Sequence, residues 1–228
     1  MSVEKVMPSR VLYYFPIVHN QSDMGSLSEP IRKITLKKLG ERVWRRKAVL
    51  IERFWRGIGE TLDALSLPYA QTRIYQDGLP VCEKEGEEKR IVAEAVQMGS
   101  ANYQLLVRLQ EKGATIMGTE CAELLVEEYT LIKKIFDAAD AKKPLQIEAV
   151  REAASDLLLA KRDVFIAERI DRTLQAGETG VLFLGILHDL AGRLPADIQV
   201  HYPINRPSYK KRTSLVSSVS ISVPDDGS

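Results

Sequence analysis

Uniformly apolar runs alternate along the chain with segments in which apolar residues recur at helical spacing. The most uniform run covers residues 181–187 (VLFLGIL), and another covers residues 11–19 (VLYYFPIVH). Uninterrupted apolar runs of this length are typical of strands buried on both faces of a parallel sheet. Three further strands are predicted at residues 69–76, 114–117 and 198–202.

The segments between these runs have the period of amphipathic helices. In residues 41–65, for example, Trp44, Ile51, Trp55 and Leu62 recur at helical spacing with charged residues between them. Similar patterns predict helices at residues 87–98, 102–111, 124–136 and 146–176. Because strands alternate with helices, the sequence predicts an α/β fold with a mostly parallel sheet and helices on both faces.

The length of 228 residues suits one domain with one sizeable core. We expect this single domain to cover residues 1–207. Residues 208–228 are rich in serine and end in PDDGS, which predicts a flexible C-terminal tail. As an alternative, the alternation of serine with apolar residues at 218–223 would suit an added edge strand.

The charge balance gives little reason to expect a polyanionic partner. The chain has 32 Lys and Arg against 31 Asp and Glu, a net charge of +1. We therefore expect no nucleic acid and no membrane among its partners, and interpret the basic cluster at residues 42–47 as the solvated face of a helix. The polar N-terminus is unlike a signal peptide, and no apolar run could span a bilayer, so we expect a cytoplasmic protein. Two cysteines, Cys82 and Cys121, exclude a disulfide scaffold.

Four of the predicted strands run directly into a residue that can bind a metal or move a proton. These residues are His19, Asp77, Glu120 and His188. The carboxyl ends of parallel strands meet at one edge of a sheet, where ligands of open α/β sheets bind. Since imidazoles and carboxylates are common ligands of transition metals, the pattern predicts a metal or active site at this edge.

Each of these residues also has a structural interpretation. His19 could be a hydrogen-bonded histidine after a strand, and Asp77 could stabilise a turn through backbone amides. Glu120 could lie in the first turn of a helix that Thr119 caps, and His188 could open another helix. The sequence has no Gly-x-Ser-x-Gly, Walker A, Gly-x-Gly-x-x-Gly or His-Glu-x-x-His motif, so it offers no nucleophile elbow and no standard phosphate loop.

The C-terminal third resembles the superfamily that includes TraB/PrgY, TIKI, ChaN and erythromycin esterase. The matching segments are residues 161–170 (KRDVFIAERI), with the Arg-Asp pair of these proteins, and residues 184–188 (LGILH), with their Gly-x-x-His motif. The first Gly-x-x-His of the superfamily would fall on residues 15–19 (FPIVH), which lack the glycine. Its acidic residue after the second strand would fall on Asp77, in place of a glutamate.

The resemblance implies a metal-assisted hydrolase of an ester or amide bond, or a protein that binds a divalent metal. Arg162 would then face the site and bind a carbonyl or carboxylate of the substrate. We expect His19 and His188 to bind a divalent cation with help from Asp77 or Glu120, while the other carboxylate acts as general base on a small-molecule or peptide substrate.

Two alternatives remain open at this point. One is a non-catalytic module that binds a small ligand or a divalent metal in the same pocket. The other is an interaction scaffold, whose function would lie on the helix at residues 41–65 or on the tail.

Overall fold

The core of the protein is a five-stranded sheet in which all neighbouring strands pair in parallel. The computed structural model describes residues 9–19, 28–140, 146–190 and 192–205. The strands are β1 (Arg10–Ile17), β2 (Thr72–Gln76), β3 (Thr115–Met117), β4 (Thr179–Gly185) and β5 (Ile198–His201). Their spatial order is β3-β2-β4-β1-β5, so the predicted parallel sheet is confirmed.

Helices cover both faces of this sheet, as the sequence predicts. They are α1 (Ser28–Ala64), α2 (Glu87–Gln97), α3 (Ala101–Glu111), α4 (Ala122–Asp140) and α5 (Gln146–Thr173). Residues of β4 alternate between the two cores: Val181 and Phe183 pack with α1, α2 and α3, whereas Leu182 and Leu184 pack with α5. The result is a single-domain, three-layer α/β fold, with the sheet buried on both sides.

The first helix is longer than its apolar pattern predicts. It begins at Ser28 rather than at residue 41, and its backbone leaves helical geometry at Gly40, where φ is 76°. Glycine adopts this conformation without the steric cost that a Cβ atom imposes. The break at Gly40 interrupts the helical spacing of the apolar residues. The apolar pattern that starts at residue 41 therefore predicts only the second half of α1.

β1 tolerates a proline at residue 16 because β5 no longer pairs with β1 at that point. β5 pairs only with residues 10–13 of β1, whereas β4 pairs with residues 11–17. Among the described strands, only β4 therefore pairs with β1 at Pro16, an edge-like position that tolerates a missing N–H group.

Some predictions fall where the structure gives no description. The C-terminal tail at residues 208–228 and its alternative edge strand at 218–223 both lie outside the described residues. Among the helices that are described, none has the length and apolar character needed to cross a membrane.

Candidate functional site

The carboxyl ends of β1, β2, β3 and β4 bring the four predicted residues to one edge of the sheet. Nε2 of His19 lies 3.0 Å from Oδ2 of Asp77, and Nε2 of His188 lies 3.6 Å from the same oxygen. Glu120 joins them through Arg162, which comes from α5. The five residues singled out by sequence thus form one side-chain cluster, and their chemical roles remain predictions.

Arg162 is the cation at the centre of this cluster. Its Nε donates to Oε2 of Glu120 at 2.7 Å, and its Nη2 donates to Oε1 of Glu120 at 2.5 Å and to Oδ1 of Asp77 at 2.8 Å. These three side chains are all at least nine-tenths buried. A third carboxylate, Glu128 of α4, accepts from Nη1 at 2.5 Å.

Asp77 connects the guanidinium to the two imidazoles. Its Oδ1 faces Arg162, while its Oδ2 accepts from the backbone N–H of Gly185 at 2.8 Å and faces both histidines. Burial alone would raise the pKa of Asp77. The positive charges of His19, His188 and Arg162 outweigh it and hold this pKa well below its ordinary value. Asp77 is therefore an anion at neutral pH.

Glu120 has the opposite electrostatic balance. Burial raises its pKa above the ordinary value, and the negative charge of Asp77 adds to this effect, although hydrogen bonds from Arg162 oppose it. The N–H of Gly78 also donates to its Oε1 at 3.0 Å. A carboxyl group with a raised pKa can exchange protons closer to neutrality, as general acid–base chemistry requires.

The interpretation of Glu120 as a first-turn residue behind a Thr119 cap is wrong. The helix α4 begins only at Ala122. The Thr119 hydroxyl instead accepts from the backbone N–H of Gln76 at 2.8 Å and donates to the carbonyl of Met117 at 3.0 Å. Thr119 thus ties the end of β3 to β2, which carries Glu120 to the Asp77 side of the sheet.

His188 is oriented by a carboxylate to which the sequence assigns no role. Its Nδ1 lies 2.6 Å from Oδ1 of Asp163, whose Oδ2 accepts from the N–H of Asp189 at 3.1 Å. With Nδ1 engaged in this way, the Nε2 side of the ring faces Asp77. Burial alone would lower the pKa of His188. The negative charge of Asp77 and the hydrogen bond to Asp163 outweigh this effect, so the pKa of His188 is raised above its ordinary value. The described residues after His188 form no helix, and the backbone N–H of His188 instead closes a turn back to the carbonyl of Gly185 at 3.0 Å.

Gly185 leaves the space in which these side chains meet. A Cβ atom at this position would lie 2.7 Å from Oδ2 of Asp77, and 3.5 Å from both Nε2 of His19 and Cδ2 of His188. Contacts of 2.7 Å are too short for a carbon atom. The glycine three residues before His188 therefore has a steric function in the cluster.

The donor set suits a metal ion. Potential ligand atoms of Asp77, Glu120 and His188 all lie within 4.8 Å of one another, so this buried group could hold a metal ion. Ligands about 2.1 Å from a tetrahedral ion lie about 3.4 Å apart. The separations of 3.6 Å and 3.0 Å between Oδ2 of Asp77 and the two imidazoles bracket that value. His19 stands outside the three-residue group and reaches it through Asp77.

A recess of about 450 Å³ has Glu120 in its lining, although the Glu120 side chain itself is fully buried. Its walls come from the loop after β2, the start of α4 and one residue of α5, and include Pro80, Cys82, Cys121, Glu123 and Phe165.

Fold and cluster together define the chain as an α/β protein with a buried polar site at the carboxyl edge of a parallel sheet. Comparisons of the chain with protein-family models, curated proteins and solved structures found no match. The resemblance of residues 161–188 to the TraB, TIKI, ChaN and erythromycin esterase superfamily therefore stays a prediction.

Two residues of the cluster could not be found by sequence reasoning. Asp163 stands beside Arg162 in the quoted motif, but nothing in the sequence says that it meets His188. Glu128 follows Glu127 on a helix with other charged residues, where no local signal separates a partner of Arg162 from a solvated glutamate.

Proposed function

We propose that the protein is a metal-dependent hydrolase that cleaves an ester or amide bond in a small-molecule or peptide substrate. The observation that carries this proposal is the position of Asp77. Its Oδ2 is buried and lies 3.0 Å and 3.6 Å from the Nε2 atoms of His19 and His188, and Asp77 belongs with Glu120 and His188 to a group that could hold a metal ion. The resemblance of residues 161–188 to a superfamily with metal-assisted hydrolases points to the same chemistry.

In this proposal, His19, Asp77 and His188 hold the cation. Two imidazoles and one carboxylate favour a transition metal such as zinc or manganese over calcium, which prefers oxygen ligands. A divalent cation at this position supplies polarisation of the substrate carbonyl and a lowered pKa for a bound water. Asp163 keeps the His188 ring in the orientation that binding requires.

Glu120 is then the general base. It does not need to bind the metal, because Asp77 already faces both imidazoles. Its raised pKa suits proton transfer near neutral pH, and it lines the recess through which a substrate would enter. We assign to Arg162 the task of holding Asp77 and Glu120 in place, since its described contacts are with carboxylates of the protein.

A specific observation also favours a second candidate, a metal-binding module without catalysis. Both carboxylate oxygens of Glu120 accept hydrogen bonds from Arg162. A carboxylate engaged in this way is a weaker base than a free one, because the guanidinium stabilises its charged form. In that case, the protein would bind metal and show no turnover.

Two isosteric variants separate these functions. The protein is purified without chelators, and its metal content is measured together with hydrolysis of p-nitrophenyl esters and a panel of dipeptides. Glu120→Gln should keep the metal and lose turnover, whereas Asp77→Asn should lose both. Glu123→Gln, in the same recess but outside the cluster, is the matched control and should change neither.

The outcome also identifies the runner-up. Stoichiometric metal with no hydrolysis of any substrate class, in the unmodified protein, would favour the binding module. A protein that hydrolyses these substrates and keeps full activity in Glu120→Gln would contradict the role assigned to Glu120.

A further inference from the structure

The charges of the protein are strongly separated, although their sum is close to zero. Residues 32–56 hold ten of the 32 Lys and Arg residues but only two of the 31 Asp and Glu residues, Glu41 and Glu52. This part of α1 therefore has a formal charge of +8, and the rest of the chain has −7. The total of +1, from which we expected no polyanionic partner, conceals this separation.

Three arginines of α1 form a stripe on its outer face. Arg42, Arg46 and Arg53 fall within an arc of about 40° when each residue turns the helix by about 100°. The buried residues of the same helix, Trp55 and Ile58 among them, lie on the opposite side and pack into the core. All three arginines are exposed, and the stripe is about 16 Å long at a rise of about 1.5 Å per residue.

The three arginines of this stripe are available to bind an external anion. Two neighbouring arginines form exposed ion pairs along the helix: Arg45 with Glu41 at 2.6 Å, and Arg56 with Glu52 at 3.6 Å. Such exposed pairs contribute little free energy and exchange readily for another anion. Within the described part of the chain, Arg42, Arg46 and Arg53 have no ion pair at all.

From these observations we infer that the outer face of α1 binds the sugar–phosphate backbone of a nucleic acid. Arginine presents a planar fork of donors that matches phosphate oxygens, and a row of such forks suits a regular polyphosphate chain. The stripe is positively charged along its whole length and has no aromatic side chain for reading bases. Binding therefore does not depend on base sequence.

An anionic membrane is the less suitable partner for this face. A helix that lies in a membrane surface inserts a free apolar face below the headgroups. In α1 the large apolar residues from Trp55 to Leu62 are buried in the protein core, and the exposed Val43 and Val49 are two separate valines rather than an apolar face. The negative charge on the rest of the chain also repels any polyanion, which leaves α1 as the side that can approach one.

The test uses fluorescence anisotropy with labelled single strands of about 20 nucleotides and duplexes of about 20 base pairs in two unrelated sequences, at KCl concentrations from about 25 to about 200 mM. The unmodified protein should bind both sequences alike, with affinity that falls as salt rises. The triple variant Arg42→Gln, Arg46→Gln, Arg53→Gln should bind about tenfold or more weakly. Its salt slope should be smaller by about one for each phosphate that the protein no longer neutralises.

Matched variants and a second surface complete the experiment. The variant Lys84→Gln, Lys89→Gln, Arg90→Gln removes the same charge from the exposed surface around α2 and should bind as the unmodified protein does. Replacing the three α1 arginines by lysine should keep the salt slope, because the charges remain. The single variant Arg46→Gln should reduce the slope by about one and provides the readout if the triple variant does not fold.

Three results would overturn the inference. In the first, the α1 triple variant binds nucleic acid as well as the unmodified protein does. In the second, the α2 variant loses as much affinity as the α1 variant. In the third, the protein binds vesicles containing phosphatidylserine but neither form of nucleic acid, which would assign the face to a membrane. None of these measurements involves the metal site, so they are independent of the proposed hydrolase function.

Discussion

Replacing Arg162 by glutamine tests how far the stability of the fold depends on one buried cation. The substitution removes the hydrogen bonds and the charge that compensate Asp77 and Glu120, and it also removes the partner of Glu128. The side chains of Arg162, Asp77 and Glu120 are 5%, 4% and 0% exposed. Bulk water therefore does little to compensate the charges of Asp77 and Glu120 once the guanidinium is lost.

The expected magnitude follows from this burial. Removing one partner of a buried ion pair costs about 3–5 kcal/mol, because an uncompensated charge stays behind. An exposed helical pair contributes about 0.3–0.5 kcal/mol. Arg45 and Glu41 form such a pair at 2.6 Å, a distance similar to that between Arg162 and Glu120, but their side chains are 77% and 68% exposed. Distance is thus matched between the two pairs, and burial is the difference.

The assay is urea denaturation at pH 7 of the unmodified protein, Arg162→Gln and Arg45→Gln. Arg162→Gln should lower the free energy of unfolding by about 3–5 kcal/mol, and the thermal midpoint by about 6–20 °C for a chain of this size. Adding Glu120→Gln to Arg162→Gln should recover part of the loss, since it removes one uncompensated charge. Equal, small losses in Arg162→Gln and Arg45→Gln would refute the reasoning from burial.

Two further predictions concern sterics and pH. Gly185→Ala should abolish metal binding while the protein stays folded, because the added Cβ would lie 2.7 Å from Oδ2 of Asp77. Metal content and the circular dichroism spectrum of the variant check this prediction. A variant that keeps its full metal content would show that the cluster can accommodate the added methyl group. Arg73 donates hydrogen bonds to Glu178 and lowers the pKa of that carboxyl. The pair therefore stabilises the fold at pH values above the pKa of an unfolded glutamate, about 4.3. This stabilisation is lost as the pH falls through the lower pKa that Glu178 has in the folded protein. Glu178→Gln should therefore cost about 1 kcal/mol at pH 7, and the difference from the unmodified protein should shrink below about pH 4; a difference that is constant with pH would contradict the ion pair.

The meeting of His19, Asp77, Glu120 and His188 was predictable because it depends on two local features. Each residue follows a predicted strand in the sequence, and parallel strands necessarily place their carboxyl ends at one edge. The strand order β3-β2-β4-β1-β5 was not predictable in the same way. It depends on which strands the helices bring together across the whole chain, and no single segment records that.

The partners within the site depend on how the helices dock. Arg162 was expected to face the site because of a family resemblance, but its bonds to two strand-end carboxylates follow from the position of α5 on the sheet. The same docking brings Asp163 to His188. The compact metal-capable group of Asp77, Glu120 and His188 adds two strand-end carboxylates to the expected ligand His188, and His19 reaches this group through its hydrogen bond to Asp77.

The most direct test of the central proposal is the metal content of the purified protein, measured by mass spectrometry after dialysis against metal-free buffer. The account predicts about one equivalent of a divalent transition metal in the unmodified protein and a steep loss in His188→Ala, with the circular dichroism spectrum unchanged. The matched control is His201→Ala, which removes a histidine at the end of β5 that stacks on Tyr13 outside the cluster, and it should keep its metal. A protein that binds no metal, or a His188→Ala variant that binds as much as the unmodified chain, would contradict the proposed metal centre.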